Sequence, residues 1–324
     1  MSPRRDASSV AAELRQLVRD GDLEVPEPGT GRTIDRWAAL ALLGHRDLAL
    51  ARLAEGHLDA VSILRQAGRP VPGNTLYGVW AARSGGTGAM VADHRLTGTV
   101  RFCSGAHSLD RALVAALTPD GEGLLFDIDL NDPRIERRPD TWQAVGMDAS
   151  DSPDVVLGNV PVSDDDQVGP AGFYLDRPGF WWGGGGVAAV WFGGARGLVD
   201  RAMRYLQAGL GPDEHQLAHV GELEATLAAA AALLTATARL IDESPQAGVM
   251  REIWILRAAV EQAVRATIDQ VPRITGPTPL SRDRAFAQAL TDLQVYVRQH
   301  HAERDLAALG RLMSEGKDHT WPER

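Results

Sequence analysis

The chain has 324 residues, of which 44% are hydrophobic and 23% are charged, and its formal net charge at pH 7 is −10. This composition is typical of a globular protein with room for two or three domains. The acidic balance argues against a nucleic-acid partner, because phosphate binding needs a basic surface. Cys103 is the single cysteine, which excludes an internal disulfide and favours a reducing, cytoplasmic location.

The sequence predicts neither a signal peptide nor a membrane partner. Basic residues near the amino terminus are not followed by the apolar segment that signal peptides carry. The most apolar long run, residues 225–241, is rich in Ala and Thr, contains Arg239, and is shorter than a bilayer span requires. We expect this run to form a buried or partly buried helix.

Residues 1–73 are predicted to form an amino-terminal helical domain. Apolar residues recur at three- and four-residue intervals over residues 10–18 and again over residues 36–66. Asp35 is expected to cap the second stretch, and Gly44 is expected to divide it into two helices.

Residues 74–178 are predicted to form a central β domain. Short apolar runs separated by Gly, Asp and Pro favour an antiparallel barrel or sandwich; they cover residues 76–81, 100–103, 112–117, 123–128, 154–157 and 160–162.

Residues 179–324 return to helical periodicity and predict a carboxyl-terminal four-helix bundle. The glycine run at 183–186 is expected to open the first helix, and the other helices are expected at about 213–242, 245–270 and 281–312. The predicted fold class is therefore α+β, mostly α.

One segment of the β region carries the most chemical information. Residues 96–106, LTGTVRFCSGA, place an aromatic side chain two positions before a hydroxyl, next to small residues that let a flat group approach the backbone. Taken alone, this pattern also fits a core aromatic at Phe102 and a turn residue at Ser104, so both interpretations stay open.

This segment resembles the central β-domain signature of the acyl-CoA dehydrogenase superfamily, with Thr97 and Val100 where the family usually has Asn and Lys. Residues 53–64, 142–169 and 180–206 resemble further family segments in the same order along the chain. The resemblance extends to flavin-dependent monooxygenases of the same fold. It implies a short amino-terminal helical domain, a central antiparallel β-barrel domain and a carboxyl-terminal four-helix bundle.

The resemblance also implies an FAD cofactor, whose ring the protein would position and tune. Phe102 would form the aromatic wall of the flavin pocket, and Ser104 would place its hydroxyl near the flavin N5 atom. Trp80 and Ala82 match the strand before the flavin-binding loop, and the glycines of residues 85–88 match the loop itself.

Two other cofactor contacts of the family are altered in this chain. Between Tyr205 and Gln216 there is no arginine to reach the FAD diphosphate of a partner subunit. The Gly-Gly turn that receives the adenosine half is reduced to ITGPTPL at residues 274–280. Both changes remove stabilisation that is specific to FAD.

His300 and Glu303 are the candidate catalytic residues. Aligning Asp292 with the family's Asp places His300 where dehydrogenases carry their glutamate base, and related monooxygenases carry a histidine in this region. A neutral imidazole is a competent general acid or base at physiological pH. Glu303, three residues further along a continuous helix, would orient His300 or act as the base itself. The alternative is that His300 and His301 are surface or interface residues.

Three functions are consistent with these observations. The first is a flavin-dependent oxidoreductase that desaturates a small-molecule acyl thioester at its α,β bond. The second is a monooxygenase that takes reduced flavin from a partner reductase and uses His300 as its acid or base. The third is a non-catalytic scaffold subunit. No metal is expected, and the Ala-rich helices favour a homodimer or homotetramer.

Overall fold

The computed structural model describes residues 5–209, 211–246 and 248–315. The chain divides into two compact units: Met1–Glu27 with Asp47–Gly183, and Pro28–Arg46 with Gly184–Arg324. The three-domain division that the sequence predicts stays a prediction.

Within its described residues, the first unit contains a seven-stranded sheet, three complete helices and the first residues of a fourth. The helices are α1 (Ala7–Asp20), α3 (Leu48–Gln66) and α4 (Phe173–Asp176). The strands are β1 (Tyr77–Trp80), β2 (Gly88–Ala92), β3 (Arg95–Val100), β4 (Arg111–Leu117), β5 (Gly123–Asp129), β6 (Ile135–Arg138) and β7 (Asp154–Pro161). Two of these, β2 and β6, were not expected from the sequence.

The sheet is mixed, which corrects the expectation of purely antiparallel pairing. Its strands follow the order β1-β4-β2-β3-β7-β6, with β5 paired to β4. The pairs β2–β3, β3–β7, β4–β5 and β6–β7 are antiparallel. Strands β1 and β2 both run parallel to β4 and pair with its two ends. Short apolar runs indicate strands but do not specify which strands pair, so the sequence missed this crossover.

Helix α3 covers the sheet of the first unit. Ile63 and Leu64 on this helix pack in one buried cluster with Tyr77, Leu113 and Leu125 from three strands. Burying apolar side chains from both elements is what joins the helix to the sheet.

The second unit is helical. Its helices are α2 (Thr33–Arg46), α5 (Gly179–Gln207, whose first residues belong to the first unit), α6 (Glu214–Glu243), α7 (Met250–Thr275), α8 (Pro277–Arg282), α9 (Arg284–Tyr296) and α10 (Glu303–Ser314).

The expected helix break at Gly44 is wrong. Gly44 lies inside α2, and the next helix begins after Asp47, whose side chain caps it by accepting the Leu50 N–H at 2.7 Å. A Cβ atom on Gly44 would lie 2.3 Å from the Val190 carbonyl oxygen. This glycine therefore serves close packing between α2 and α5. Asp35 lies in the first turn of α2 rather than at its cap.

The glycine run at 183–186 also lies inside a helix, because α5 begins at Gly179. A Cβ atom on Gly185 would lie 2.3 Å from the Trp37 ring, and one on Gly193 would lie 1.9 Å from the Ala41 carbonyl oxygen. The glycines of α5 thus let α2 approach its backbone. Helix packing overrides the low helix propensity of glycine here.

Replacing Gly193 with Ala should destabilise the second unit by about 3 kcal/mol, because the added methyl has no space beside Ala41. Urea denaturation followed by circular dichroism measures this loss. Gly221→Ala is the matched control, since a Cβ at this helical position meets nothing within 4 Å. The control should gain about 0.5–1 kcal/mol from helix propensity. Equal stabilities for the two variants would contradict the packing role of Gly193.

Helix α6 contains the apolar run noted in the sequence. Among the described helices, it is the one whose length and composition would suffice to cross a membrane, with a mean hydropathy of 1.4 and 22% of that window buried. Its buried residues repeat every three to four positions and form a single stripe: Leu223, Leu227, Ala230, Leu234, Thr237, Ala238 and Ile241. The helix is therefore partly buried, as expected.

Candidate functional site

The loop after β3 presents an aromatic ring on a strained backbone. Phe102 has a φ of +58° and is 51% exposed. The Arg101 guanidinium carbon lies 5.1 Å from the centroid of its ring. Such a φ costs a non-glycine residue about 1–3 kcal/mol, and strain of this kind concentrates at functional sites. The loop therefore holds an exposed aromatic surface in a fixed place.

A second loop anchors the first one through its backbone. The N–H groups of Cys103 and Gly105 donate to the carbonyl oxygens of Pro153 and Ser150, at 3.0 and 2.9 Å. These bonds fix the residues on either side of Ser104. Because the two loops lie almost fifty residues apart in the chain, no local sequence pattern indicates this pairing.

Ser104 belongs to a chain of buried hydroxyls. The Ser152 Oγ atom lies 2.9 Å from both Ser104 Oγ and Ser150 Oγ. Because the Ser150 hydroxyl donates to the Met147 carbonyl oxygen at 2.8 Å, Ser152 has one proton for these two contacts. The Ser-x-Ser spacing of residues 150 and 152 is the sequence signal for this set of hydroxyls, and it was not part of the prediction.

Trp80 is the last residue of β1, and Ala82 follows shortly after it. Trp80 is 2% exposed, and its indole N–H donates to the Ser104 carbonyl oxygen at 3.3 Å. This hydrogen bond fixes the position of the Ser104 backbone. Ala82 is half-buried and follows β1 at the start of the loop that leads to β2.

That loop contains a polar atom that the sequence analysis missed. Its glycines 85, 86 and 88 all have positive φ, which only glycine adopts readily. The loop ends earlier than expected, because Gly88 already begins β2. Among the residues that the structure describes, the buried Ser84 hydroxyl oxygen has no hydrogen-bond partner. A buried hydroxyl of this kind indicates a place for an unseen partner.

His300 lies in the second unit, at a break between two helices. Helix α9 ends at Tyr296, a 3₁₀ turn covers Val297–Gln299, and α10 begins at Glu303. The continuous helix expected over residues 281–312 is therefore wrong. Residues 284–309 contain no Gly or Pro, so no local signal marks the break.

The His300 ring is buried and hydrogen-bonded. Its side chain is 3% exposed, and the Ala302 N–H donates to its Nδ1 atom at 3.1 Å. Burial lowers the pKa of His300 below its ordinary value, and the positive charge of Arg257 lowers it further. Asp305 and Glu261 oppose this shift. We therefore expect a neutral imidazole at pH 7.

Glu303 does not share a helix with His300. It is the first residue of α10 and is exposed. The three-residue helical spacing on which its orienting role depended is absent, so that part of the expectation is corrected. His301 is also exposed, and its ring Nδ1 lies 3.5 Å from the Asp305 carboxylate.

The expected site residues thus fall into two groups. Trp80, Ala82, Phe102 and Ser104 belong to the first unit, and the structure brings Trp80 and Ser104 into direct contact. His300 and Glu303 belong to the second unit. Their functional roles stay predictions.

Comparisons with known proteins place this architecture. No protein-family model matches the chain, and no curated protein matches it. The crystal structure of TdsC from Paenibacillus sp. A11-2 with FMN and indole matches with a TM-score of 0.76 and 20% identity over 97% of both chains. The same enzyme is described as a dibenzothiophene monooxygenase.

Two further solved structures are similar. Methanesulfinate monooxygenase MsuC from Pseudomonas fluorescens matches with a TM-score of 0.74 and 19% identity, over 100% of this chain and 99% of that one. KijD3, in complex with FMN and a dTDP-linked amino sugar, matches with a TM-score of 0.79 and 19% identity, over 96% of this chain and 87% of that one. The expectation from the sequence is therefore confirmed at the level of architecture: the chain has the acyl-CoA dehydrogenase fold.

Proposed function

We propose that this protein is a flavin-dependent monooxygenase that acts on a small organic substrate and takes reduced flavin from a partner reductase. The observation that carries the proposal is the burial of the His300 imidazole, at the sequence position that the resemblance aligns with the carboxylate base of the dehydrogenases. The similarity to TdsC and MsuC supports the same conclusion.

The residues of the first unit fit a flavin. An isoalloxazine ring needs a flat apolar surface and hydrogen-bond donors at its polar edge. Phe102 offers an exposed ring, Ser104 has a hydroxyl linked to Ser152, and Ser84 has a buried hydroxyl without a described partner. These three residues, supported by Trp80 and Ala82, would hold the flavin.

When bound, a reduced flavin supplies the electrons for reaction with dioxygen. The protein's own contribution is to orient the reactants and to manage the proton. A neutral His300 can hold a proton at pH 7 without carrying a charge into a buried place. Phe102 and the Ser104–Ser152 pair would fix the ring from a rigid loop.

Acyl-thioester desaturation, the first function that the sequence suggested, is now the less favoured candidate. Its first step needs a carboxylate placed to remove an α proton. Glu303 is exposed at the start of α10, whereas His300 is buried. The buried carboxylate that acts on His300, Glu261, is paired with Arg265 and Arg298. A buried imidazole at the expected position favours the monooxygenase.

We also propose FMN as the flavin in place of the expected FAD. TdsC and KijD3 were solved with FMN. This chain lacks the arginine and the Gly-Gly turn that serve the additional half of FAD in the family. FMN lacks that additional half, so neither change would weaken its binding.

The expected homodimer or homotetramer stays a proposal. Helix α6 leaves small side chains exposed along its length, including Ala218, Ala225, Ala232 and Ala236. Such a surface allows two helices to pack closely.

Titration with reduced FMN, oxidised FMN and FAD tests the function. We expect the reduced FMN to bind, and the complex to consume dioxygen without an acyl thioester. Bleaching of bound FAD by an acyl thioester would instead support desaturation. A protein that binds none of the three would support the scaffold function and contradict both enzymes.

Replacing Phe102 with Ala should weaken flavin binding about tenfold, since a stacking aromatic contributes about 1.4 kcal/mol. Quenching of flavin fluorescence measures the dissociation constant. Leu175→Ala is the matched control, because Leu175 is another exposed apolar side chain of the first unit. Equal affinities in both variants would contradict the assignment of Phe102.

A further inference from the structure

Arg257 is held against the turn that carries His300. Its guanidinium donates to the Gly184 carbonyl oxygen at 2.8 Å and to the Gln299 carbonyl oxygen at 3.4 Å. The same group lies over the Trp191 ring, with its central carbon 4.6 Å from the centroid. Two carbonyls and a buried indole therefore fix this charge next to the residue that precedes His300.

The hydrogen bond from Ala302 determines which ring nitrogen of His300 carries the proton. A backbone N–H can only donate, so the Nδ1 atom that it meets at 3.1 Å must offer a lone pair. In the neutral ring, the proton then lies on Nε2. Protonation of Nδ1 would break this bond and bring the new Nδ1–H group against the Ala302 N–H.

Ala302 adopts a costly conformation to make this bond. Its φ is +40° and its ψ is −113°, a region that a residue with a Cβ atom rarely occupies. The turn keeps this strain although glycine would relieve it. The strained residue aims its N–H at the imidazole, which links the strain to the state of His300.

We propose that Arg257 is a positioning residue which, together with the Ala302 N–H, holds His300 as a neutral imidazole with its proton on Nε2. His300 is then a hydrogen-bond donor in the resting protein rather than a base. The catalytic meaning of this state rests on the proposed function, but the state itself does not.

The charges around His300 are consistent with this assignment. Arg257 and Glu261 act on it from α7, while His301 and Asp305 act from its own segment and α10. Glu261 is paired with Arg265 at 3.0 Å and with Arg298 at 3.3 Å, which offsets its charge. Asp305 accepts the His301 N–H and lies beside its ring. Of the neighbouring charges, Arg257 disfavours a charged His300 most, and His301 acts in the same direction.

Nitrogen NMR of protein labelled at its nine histidines tests the proposal without flavin. His300→Gln identifies the resonances of the ring by their loss. At pH 7 we expect His300 Nε2 to show the shift of a protonated nitrogen and Nδ1 that of an unprotonated acceptor. A protonated Nδ1 in the wild-type protein would overturn the proposal, whatever the variants do.

The role of Arg257 is tested by Arg257→Met, which removes the charge and keeps the length. The midpoint of His300 titration should move to higher pH, because a cation no longer disfavours imidazolium. Arg273→Met is the control on the same helix, since Arg273 is exposed and pairs with Asp269 at 3.0 Å. Its midpoint should match the wild type. An unchanged midpoint in Arg257→Met would overturn the role of Arg257.

A turnover assay separates this proposal from the proposed function. In the flavin-loaded enzyme, the acid side of the pH–rate profile should move to higher pH in Arg257→Met and stay in place in Arg273→Met. If the protein binds no flavin, the proposed function fails, while the NMR result still decides the protonation state of His300.

Discussion

Replacing His300 with Gln should lower turnover about 100- to 10,000-fold, the range typical of a general acid or base, while flavin affinity stays close to that of the wild type. Glutamine retains a hydrogen-bonding amide but cannot exchange a proton near neutral pH. Stopped-flow oxidation of the flavin complex with substrate measures the chemical step, and fluorescence titration measures binding.

His301→Gln is the matched control for this experiment. His301 is adjacent in sequence but exposed, so its replacement should change turnover less than twofold, an order-of-magnitude expectation for a surface site. Equal losses in the two variants would remove the assignment of His300, and so would wild-type turnover in His300→Gln.

The acid sensitivity of the protein gives an independent check on His300. Its pKa in the folded protein is lowered by burial and by Arg257. The unfolded state therefore binds a proton first as the pH falls, and the folded protein loses stability from the ordinary histidine pKa down to the lowered one. His300→Gln removes this titration. Between the two pKa values, the free energy of unfolding of the variant should therefore fall less than that of the wild type, as measured by denaturation at a series of pH values.

Replacing Arg111 with Met should cost the first unit about 3 kcal/mol of stability, because it leaves the buried Asp127 carboxylate unpaired. Arg111 Nε donates to Asp127 Oδ1 at 2.7 Å, and the Tyr77 hydroxyl donates to Asp127 Oδ2 at 3.3 Å. Burial raises the pKa of Tyr77 to about 12 and also raises the pKa of Asp127. Urea denaturation measures the loss.

The double variant Arg111→Met with Asp127→Asn should recover much of this loss, since no charge then remains buried. Arg134→Met is the surface control: its ion pair with Asp132 at 2.7 Å involves an exposed arginine, so its removal should cost at most about 1 kcal/mol. If Arg111→Met cost no more than this control, the pair in the first unit would be structurally unimportant.

The loss in Arg111→Met should also depend on pH in a defined direction. A raised pKa of Asp127 in the folded protein means that its contribution is most favourable at low pH and is lost as the pH rises through that pKa. Removing Arg111 raises this pKa further. The difference from the wild type should therefore shrink on acidification and be largest at neutral pH.

Several elements were predictable because their signals are local. Helices α1, α6 and α7 follow apolar spacing of three and four residues, and strands β4 and β5 follow short apolar runs between turn residues. Phe102 and Ser104 could be proposed as flavin contacts because the segment around them resembles a family signature, and this role stays a prediction.

Other elements were not predictable because their causes lie far away in the chain. Gly44 and the glycines of α5 look like helix breakers, yet they are sites where two helices approach closely. Strand β2 was not predicted because its segment is rich in glycine. It forms a strand because it pairs with β4 across the crossover of the sheet, which no local pattern indicates. The anchoring of Ser104 by residues 150–153 likewise depends on a contact across the fold.

The sequence by itself determined the helical and β regions, the acidic charge and the aromatic-x-hydroxyl pair, because periodicity and spacing are properties of neighbouring residues. Only the tertiary structure decided the state of His300. The break in the helix with its strained Ala302 and the charge of Arg257 come from two separate places in the second unit. Their effect on one imidazole arises from burial, because a lower local dielectric strengthens each electrostatic interaction and each hydrogen bond.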